Sequence, residues 1–464
     1  MSAPILWIVI PLTLSGFMLF FLQYSRLVKI LGIVASLILA LIAIIQPIGN
    51  VLNIGNMVID ISPAFFIFGR SLLLENADRF ALCLVYTTLL LFLLLMDRST
   101  VPAKFVPLSM AVSSLLIAAL AVQPFLYSAV LVELAVLLIV LMVHERQDQP
   151  VTGIMRFLVN LTLAMPGILF AGWLLGGSQA TATVETKMMS AVVFLMFGFS
   201  IWLAVFPFHS WMPQFSQAIN PFTFSFIFSV FPVITMLVIM KYISGVLWLR
   251  SSEFLSPTFQ IVGVIMIVTT GIFASVEKDL KRFLAYTVLL ETGFALTILS
   301  LRTVEGVLLL YEALIPRILS LALFGYSLLV LGNNGVSLST DGIRGVVKKM
   351  PFASIGILIS LLTVLGFPLF AGFPIRLELM NLLGQSSATI VLWIIAGLIG
   401  GLVGFIRIFV QFASPGSEKW EIHEKITQVI LISLIVILLI LLGLFPGFTA
   451  GVLTPFLVEI PVLW

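Results

Sequence analysis

Apolar runs of about twenty residues, the length that carries a helix across the hydrocarbon core of a bilayer, recur along this chain from Ile5–Leu22 to Ile426–Leu444. Helices suit such runs because each satisfies its own backbone hydrogen bonds where no water is at hand. Composition agrees: 61% of the 464 residues are hydrophobic and 9% are charged, where a soluble domain carries roughly a quarter charged. The pattern predicts an all-α polytopic membrane protein of about fourteen transmembrane helices. Their expected spans are 3–22, 28–46, 80–96, 104–122, 124–143, 154–175, 188–209, 221–246, 257–276, 283–301, 305–331, 351–382, 387–412 and 426–446.

The first run has no basic segment before it and no small-residue cleavage site after it, so it reads as a helix rather than a secretory signal. The stretch Gly49–Asp78 mixes β-branched, polar and Pro residues and reads as an exposed hairpin or a short interfacial segment. Residues from Pro446 to Trp464 read as an interfacial tail. A single cysteine, Cys83, excludes an internal disulfide and any multi-cysteine iron–sulfur or metal site. The three histidines, His144, His209 and His423, stand too far apart in sequence to suggest a metal site. No cofactor is expected in this chain. The net charge of +3 is spread over loops without a basic run, which argues against nucleic acid as a partner.

Charge distribution gives an orientation. Loops after odd-numbered helices hold fifteen Lys and Arg residues, from Arg26 to Lys425, and the other loops hold six: Arg70, Arg79, Lys187, Lys241, Arg250 and Arg302. By the positive-inside rule both termini lie on the outer side, and the expected home is a prokaryotic inner membrane. Arg317 and Arg376 fall well inside predicted helices instead.

The chain also repeats itself. Phe206-Pro207 is followed by Pro213, and Phe367-Pro368 by Pro374, at an offset of 161; Glu133 and Glu291 are offset by 158. Five helices separate the copies, an odd number, so successive units enter the membrane from opposite sides. The expected organisation is an N-terminal three-helix segment (1–103), two inverted five-helix repeats (104–250 and 251–415), each with a broken helix, and a last helix with its tail (416–464). Inverted repeats with broken helices place transport sites near mid-membrane.

Charges at bilayer depth cost several kcal/mol and usually face the bundle interior or a wet cavity. Glu133, Glu291, Glu312, Arg317, Arg376 and Glu378 all stand at such depth. A carboxylate there is suited to holding or passing a proton; the alternative is that each pairs with an arginine of a neighbouring helix and fixes packing. Glu312 and Arg317 are five apart, a poor spacing for a shared helix face. Glu378, beside Arg376 and near a break, fits a local structural role almost as well. Each Pro in the two breaks removes a backbone donor, so freed carbonyls mark candidate ion routes. His209 lies in the first break, where it suits proton relay or a helix cap.

Three segments carry a family resemblance. Gly198-Phe199 through Pro207-Phe208-His209-Ser210-Trp211-Met212-Pro213 resembles the GF-x-x-K-x-x-x-x-P-x-H-x-W-x-P stretch of the antiporter-like proton-conducting subunits of respiratory complex I. That family is shared with Mrp-type antiporters and membrane-bound hydrogenases. Lys278-Asp279-Leu280-Lys281-Arg282-Phe283-Leu284-Ala285-Tyr286-Thr287 is similar to the family's DLKRLLAYSS segment, and Gly366-Phe367-Pro368 through Pro374-Ile375-Arg376 to its GLPP…GF-x-x-K segment. The resemblance implies fourteen helices, outward termini, membrane-arm partner subunits that hold the redox centres, and proton conduction, with Na+ as the alternative ion. It sets Glu133 at the family's helix-5 glutamate and Arg376 where a helix-12 lysine or glutamate sits.

The departures matter as much. Trp202 replaces the family's helix-7 lysine; Ile234 stands near the place of a helix-8 lysine, with Lys241 toward that helix's end; and Glu291 occupies a place often held by histidine. An arginine hardly releases a proton in a protein. The expected proton pathway therefore runs through Glu133, Glu291 and water, with Arg376 and Arg317 as fixed charges and Glu312, His209, Lys241 and Lys281 as further candidates. The expected function is a proton-translocating membrane-arm subunit of a complex I-like NAD(P)H:quinone oxidoreductase. The rivals are a non-conducting scaffold subunit, a cation/proton antiporter subunit and a hydrogenase membrane subunit.

Overall fold

In the computed structural model residues 2–49, 51–54, 57–67, 69–144, 151–176, 184–250, 252–414 and 420–457 are described. Arg146 and Lys419, two of the counted loop charges, and the end of the expected tail (458–464) lie outside these residues. The helices follow in chain order: α1 (Ile5–Phe20, opening with a wide π turn), α2 (Ser25–Ile45), α3 (Arg79–Leu95), α4 (Phe105–Ala121), α5 (Ser128–Val143), α6 (Val151–Gly176), α7 (Val184–Trp202), α8 (Trp211–Ala218) and α9 (Pro221–Gly245). The short α10 (Leu247–Arg250) precedes α11 (Leu255–Val276), α12 (Leu280–Leu299), α13 (Val304–Asn333), α14 (Pro351–Leu365), α15 (Gly372–Gly384), α16 (Ala388–Ala413), α17 (Ile426–Leu444) and α18 (Pro446–Leu457). Ten of the described helices are long and apolar enough to cross a membrane, and four shorter apolar ones accompany them. Ten and four make the fourteen that the apolar runs predict.

Both expected breaks are present, and they are built alike. The span expected over 188–209 stops at Trp202, and Leu203–Ser210 form turns before α8; α14 stops at Leu365, and the chain turns through Gly366–Ala371 before α15. Pro207 and Pro368 lie within the turns, while Pro213 and Pro374 are each the third residue of the helix that follows. A first-turn proline gives up an amide that has no helical partner anyway, which is why the second proline of each pair starts a helix instead of breaking one. Gly366 adopts φ +70° as the cap of α14, and a Cβ there would collide with Arg376. Glycine tolerates that conformation without cost in Cβ contacts.

The chain separates into two compact units. Among the described residues, unit 1 comprises those within 1–204 and 230–247, and unit 2 those within 205–229 and 248–457. In unit 1, α2 packs on α3, α4 on α5, and α6 on α7. The buried Arg79 donates to the carbonyls of Ala43 (3.2 Å) and Ile44 (2.8 Å), satisfying the last turn of α2. The expected hairpin region holds two: β1 (Val51–Ile54) pairs with β2 (Met57–Asp60), and β3 (Ala64–Ile67) with β4 (Arg70–Leu73), to which β5 (Val122–Gln123) adds a third strand.

In unit 2, α12 and α13 are buried almost throughout, and α11 packs closely on α12 and α16. A Cβ on Gly271 would strike the backbone of Gly397, so small residues set that close approach. Where the sequence suggests only an interfacial tail after Pro446, residues to Leu457 form α18, which packs against α13 and α17.

Candidate functional site

The central feature of unit 2 is a cluster of three charges with almost no exposure. Glu291 lies midway along α12 and is 5% exposed, Arg317 on α13 2%, and Arg376 in the second turn of α15 3%. Arg376 Nη2 donates to Glu291 Oε1, forming an ion pair between residues 85 apart in sequence. The same nitrogen reaches the Val364 carbonyl at 3.4 Å, near the end of α14, and the guanidinium carbon sits 3.6 Å from the centroid of the Phe294 ring. A cation over an aromatic face gains electrostatically, the more so when desolvated. The broken helix thus brings Arg376 back beside the end of α14 and aims its charge at α12.

Arg317 is anchored less completely. Its Nη2 donates to Thr292 Oγ1 at 3.3 Å, while Nε and Nη1, and likewise Arg376 Nε, are buried without a hydrogen-bond partner among the described residues. The charges of both Glu291 and Arg376 act on it. Pro316, inside α13, has no amide proton to give to the carbonyl four residues back, which frees the carbonyl of Glu312 just before this site. Glu312 does not pair with Arg317, in line with their spacing. It is half-buried and feels the charge of Glu378, which is exposed, so Glu378 is not the partner of Arg376 either.

Unit 1 arranges its candidates differently. Glu133 on α5 is half-buried and accepts a hydrogen bond from the exposed Thr162 hydroxyl of α6 at 2.7 Å. Leu134 and Leu137 on the same helix, and Val159 and Leu163 near Thr162 on α6, are exposed, so this carboxylate lies toward the surface of the chain. Trp202, where the resemblance leads one to expect a lysine, is 2% exposed and 6.0 Å from the Phe199 ring. Phe199 meets Phe125 at 6.2 Å and Tyr242 at 6.4 Å, and Phe125 and Tyr242 lie 4.0 Å apart. Four aromatic rings fill the place of that charge. The neighbouring Lys241 pairs with Asp78 at 2.7 Å, next to a pocket of about 200 Å³ that Gln123 and Tyr242 also line.

The remaining candidates join neither cluster. His209, half-buried in the first break, stacks on Phe206 at 5.5 Å and faces Phe273 at 5.9 Å; its Nδ1 has no hydrogen-bond partner among the described residues. Lys281 donates to the carbonyls of Gln217 (3.3 Å) and Ile219 (3.0 Å) at the C-terminal end of α8. Asp279 accepts from the Lys281 and Arg282 amides as the cap of α12 and from the Gln217 side chain at 3.0 Å. The most specific motif of the sequence therefore ties the start of α12 to the end of α8, satisfying orphan groups on both helices.

Asp78, Thr162, Thr292 and Phe294 complete these sites and are not singled out by sequence. The hydroxyls hide in apolar helices, and Asp78 reads as a helix start. Only its pairing with a lysine 163 residues away distinguishes it.

Comparison with known proteins gives consistent results. The family described as "NADH:quinone oxidoreductase/Mrp antiporter, TM" matches residues 175–404. NADH-quinone oxidoreductase subunit N 2 of Opitutus terrae is 24% identical, covering 75% of this chain and 76% of that protein. NADH-quinone oxidoreductase subunit N of Flavobacterium johnsoniae is 27% identical over 64% of this chain and 68% of its own length. Among solved structures, a chain of the Mrp complex from Dietzia sp. superposes with a TM-score of 0.83 at 15% identity, covering 100% of this chain and 99% of that one. A chain of the archaeal membrane-bound sulfane sulfur reductase gives 0.80 at 18% identity, over 98% and 97%. A chain of respiratory complex I from Thermus thermophilus gives 0.74 at 15% identity, over 95% and 98%.

Proposed function

We propose that this chain is an antiporter-like membrane subunit of the NADH:quinone oxidoreductase and Mrp antiporter family and that it translocates protons in the membrane arm of a complex I-like NAD(P)H:quinone oxidoreductase. The observation that carries this reading is the buried Glu291–Arg376 pair beside a broken helix, with Arg317 close by. A buried ion pair gives little stability over an apolar replacement, so its presence at such depth argues for use. Glu291 is the proton-carrying group: a proton reaching its carboxylate removes the charge that holds Arg376, and departure of the proton restores the pair. Arg376 and Arg317 supply fixed charge, and Glu133 is the second carboxylate, at the chain surface where a neighbouring subunit can meet it.

Electron transfer belongs to partner subunits, since a single cysteine gives this chain no multi-cysteine site for an iron–sulfur cluster. Both termini lie outward in a prokaryotic inner membrane, as the loop charges support, and the two five-helix segments are inverted copies. The scaffold reading finds its support in unit 1, where the buried Trp202 packs on Phe199 at the place where the family resemblance leads one to expect a lysine. Accordingly the second segment carries the main proton route, and the first contributes Glu133 at its edge. In proteoliposomes holding the whole complex, Glu291→Gln should abolish most redox-driven proton uptake while assembly and electron transfer persist. Unchanged uptake refutes conduction through unit 2; uptake that follows Na+ instead of protons refutes the choice of ion.

A further inference from the structure

We propose that the centre of unit 2 binds a small monovalent anion between Arg317 and Arg376. Three charged groups occupy this centre, two positive and one negative, and all are at least nine-tenths buried. Glu291 is committed to Arg376. Arg317 keeps one bond, to a neutral hydroxyl, and three guanidinium nitrogens, Arg317 Nε and Nη1 and Arg376 Nε, have no partner among the described residues. The nearest other carboxylates on these helices do not make up the balance. Glu312, half-buried on α13, feels the charge of the exposed Glu378 on α15, and neither has an ion-pair partner among the described residues.

The residue type decides what must compensate. A buried lysine in this position could lose its proton and become neutral, whereas a guanidinium, with a pKa above about 12, stays charged. Water can satisfy these N–H donors but leaves the centre with one uncompensated positive charge, which is costly in a medium of low dielectric. A monovalent anion does both at once: it accepts the open N–H donors and brings the net charge to zero. A divalent anion would leave an excess negative charge, and a bulky one would displace Phe294 from the face of Arg376. The chemical class is therefore halide-like, small and singly charged. A small, mostly apolar cavity, lined among others by Thr270, Thr287, Leu290 and Val364, adjoins the centre through Val364, whose carbonyl binds Arg376. The site stands whether or not unit 2 moves protons.

The test uses the assembled complex in lipid nanodiscs at constant ionic strength, with sodium gluconate replaced stepwise by sodium chloride or bromide. Wild type should melt at higher temperature as halide rises, and the shift should saturate. Bromide-edge anomalous diffraction should place the ion between residues 317 and 376. In Arg317→Gln, where the remaining charges already cancel, the halide shift should vanish. In Glu291→Gln, which raises the net charge, half-saturation should move to lower halide. Arg317→Lys covers the case in which the glutamine variant fails to assemble, and should lose the saturable shift too, since a lysine can discharge. Equal melting in gluconate and halide, absence of bromide at the centre, or a halide shift that survives Arg317→Gln overturns the proposal. None of these readouts depends on proton uptake, so failure here leaves the transport reading to its own experiment.

Discussion

The chain uses one backbone device twice, for different chemistry. Each time a helix stops, turns past a Phe-Pro pair and restarts with proline at its third residue. In unit 2 that device delivers Arg376 to a buried glutamate; in unit 1 the helix ends on Trp202, packed among Phe125, Phe199 and Tyr242. The break makes room at membrane depth, and the side chains beside it decide whether the room is filled by charge or by rings. Family likeness at the breaks, therefore, does not make the two halves equivalent.

Variants of the buried pair should separate the units most widely. Glu291→Gln leaves Arg376 without its carboxylate, and removal of one member of a buried pair costs about 3–5 kcal/mol. Thermal unfolding and proton uptake should both fall. The double variant Glu291→Gln/Arg376→Gln should recover stability without recovering uptake, the non-additivity that a double-mutant cycle detects. Glu133→Gln, at the chain surface, should reduce uptake less than Glu291→Gln does and leave unfolding almost unchanged. Equal effects of the two would break the comparison.

Trp202→Phe keeps an aromatic ring but loses volume, and should lower stability by about 1–3 kcal/mol, below the roughly 3–5 kcal/mol of truncating a buried tryptophan to alanine. Proton uptake should not change. A loss of uptake without a loss of stability would mean that the aromatic cluster does more than fill space. Lys241→Met removes the partner of Asp78; because the lysine side chain is 30% exposed, solvent screening limits the effect to about 1 kcal/mol or less.

The sequence shows the architecture more fully than the site. Run length and proline placement are local signals, so helix number and both breaks could be read directly. A charge in an apolar run also stands out, which is how Glu291, Arg317 and Arg376 were found. Their pairing was not legible, because the ion pair joins α12 to α15 through the fold and neither residue is near the other in sequence. Lys281 shows the converse: a distinctive motif whose side chain serves helix ends, a role that only the position of Gln217 and Ile219 discloses.

The smallest expected effect lies outside the membrane and serves as a control on the comparison. Glu424, in the segment before α17, is buried and accepts from the amides of Phe352 (3.1 Å) and Ala353 (2.6 Å) at the start of α14. Burial raises its carboxyl above the usual glutamate range, and the two amides pull it partly back. A carboxyl raised in the folded state binds its proton more tightly there than in the unfolded chain. Its stabilising contribution is thus complete below the ordinary glutamate pKa and is lost as pH rises through the raised value. Glu424→Gln cannot titrate, so its unfolding temperature should vary less than wild type between mildly acidic and neutral pH, and its proton uptake should match wild type. A variant that pumps differently would show that charge at the start of α14 reaches the buried centre, and would draw the boundary of the conducting site wider than Glu291, Arg317 and Arg376.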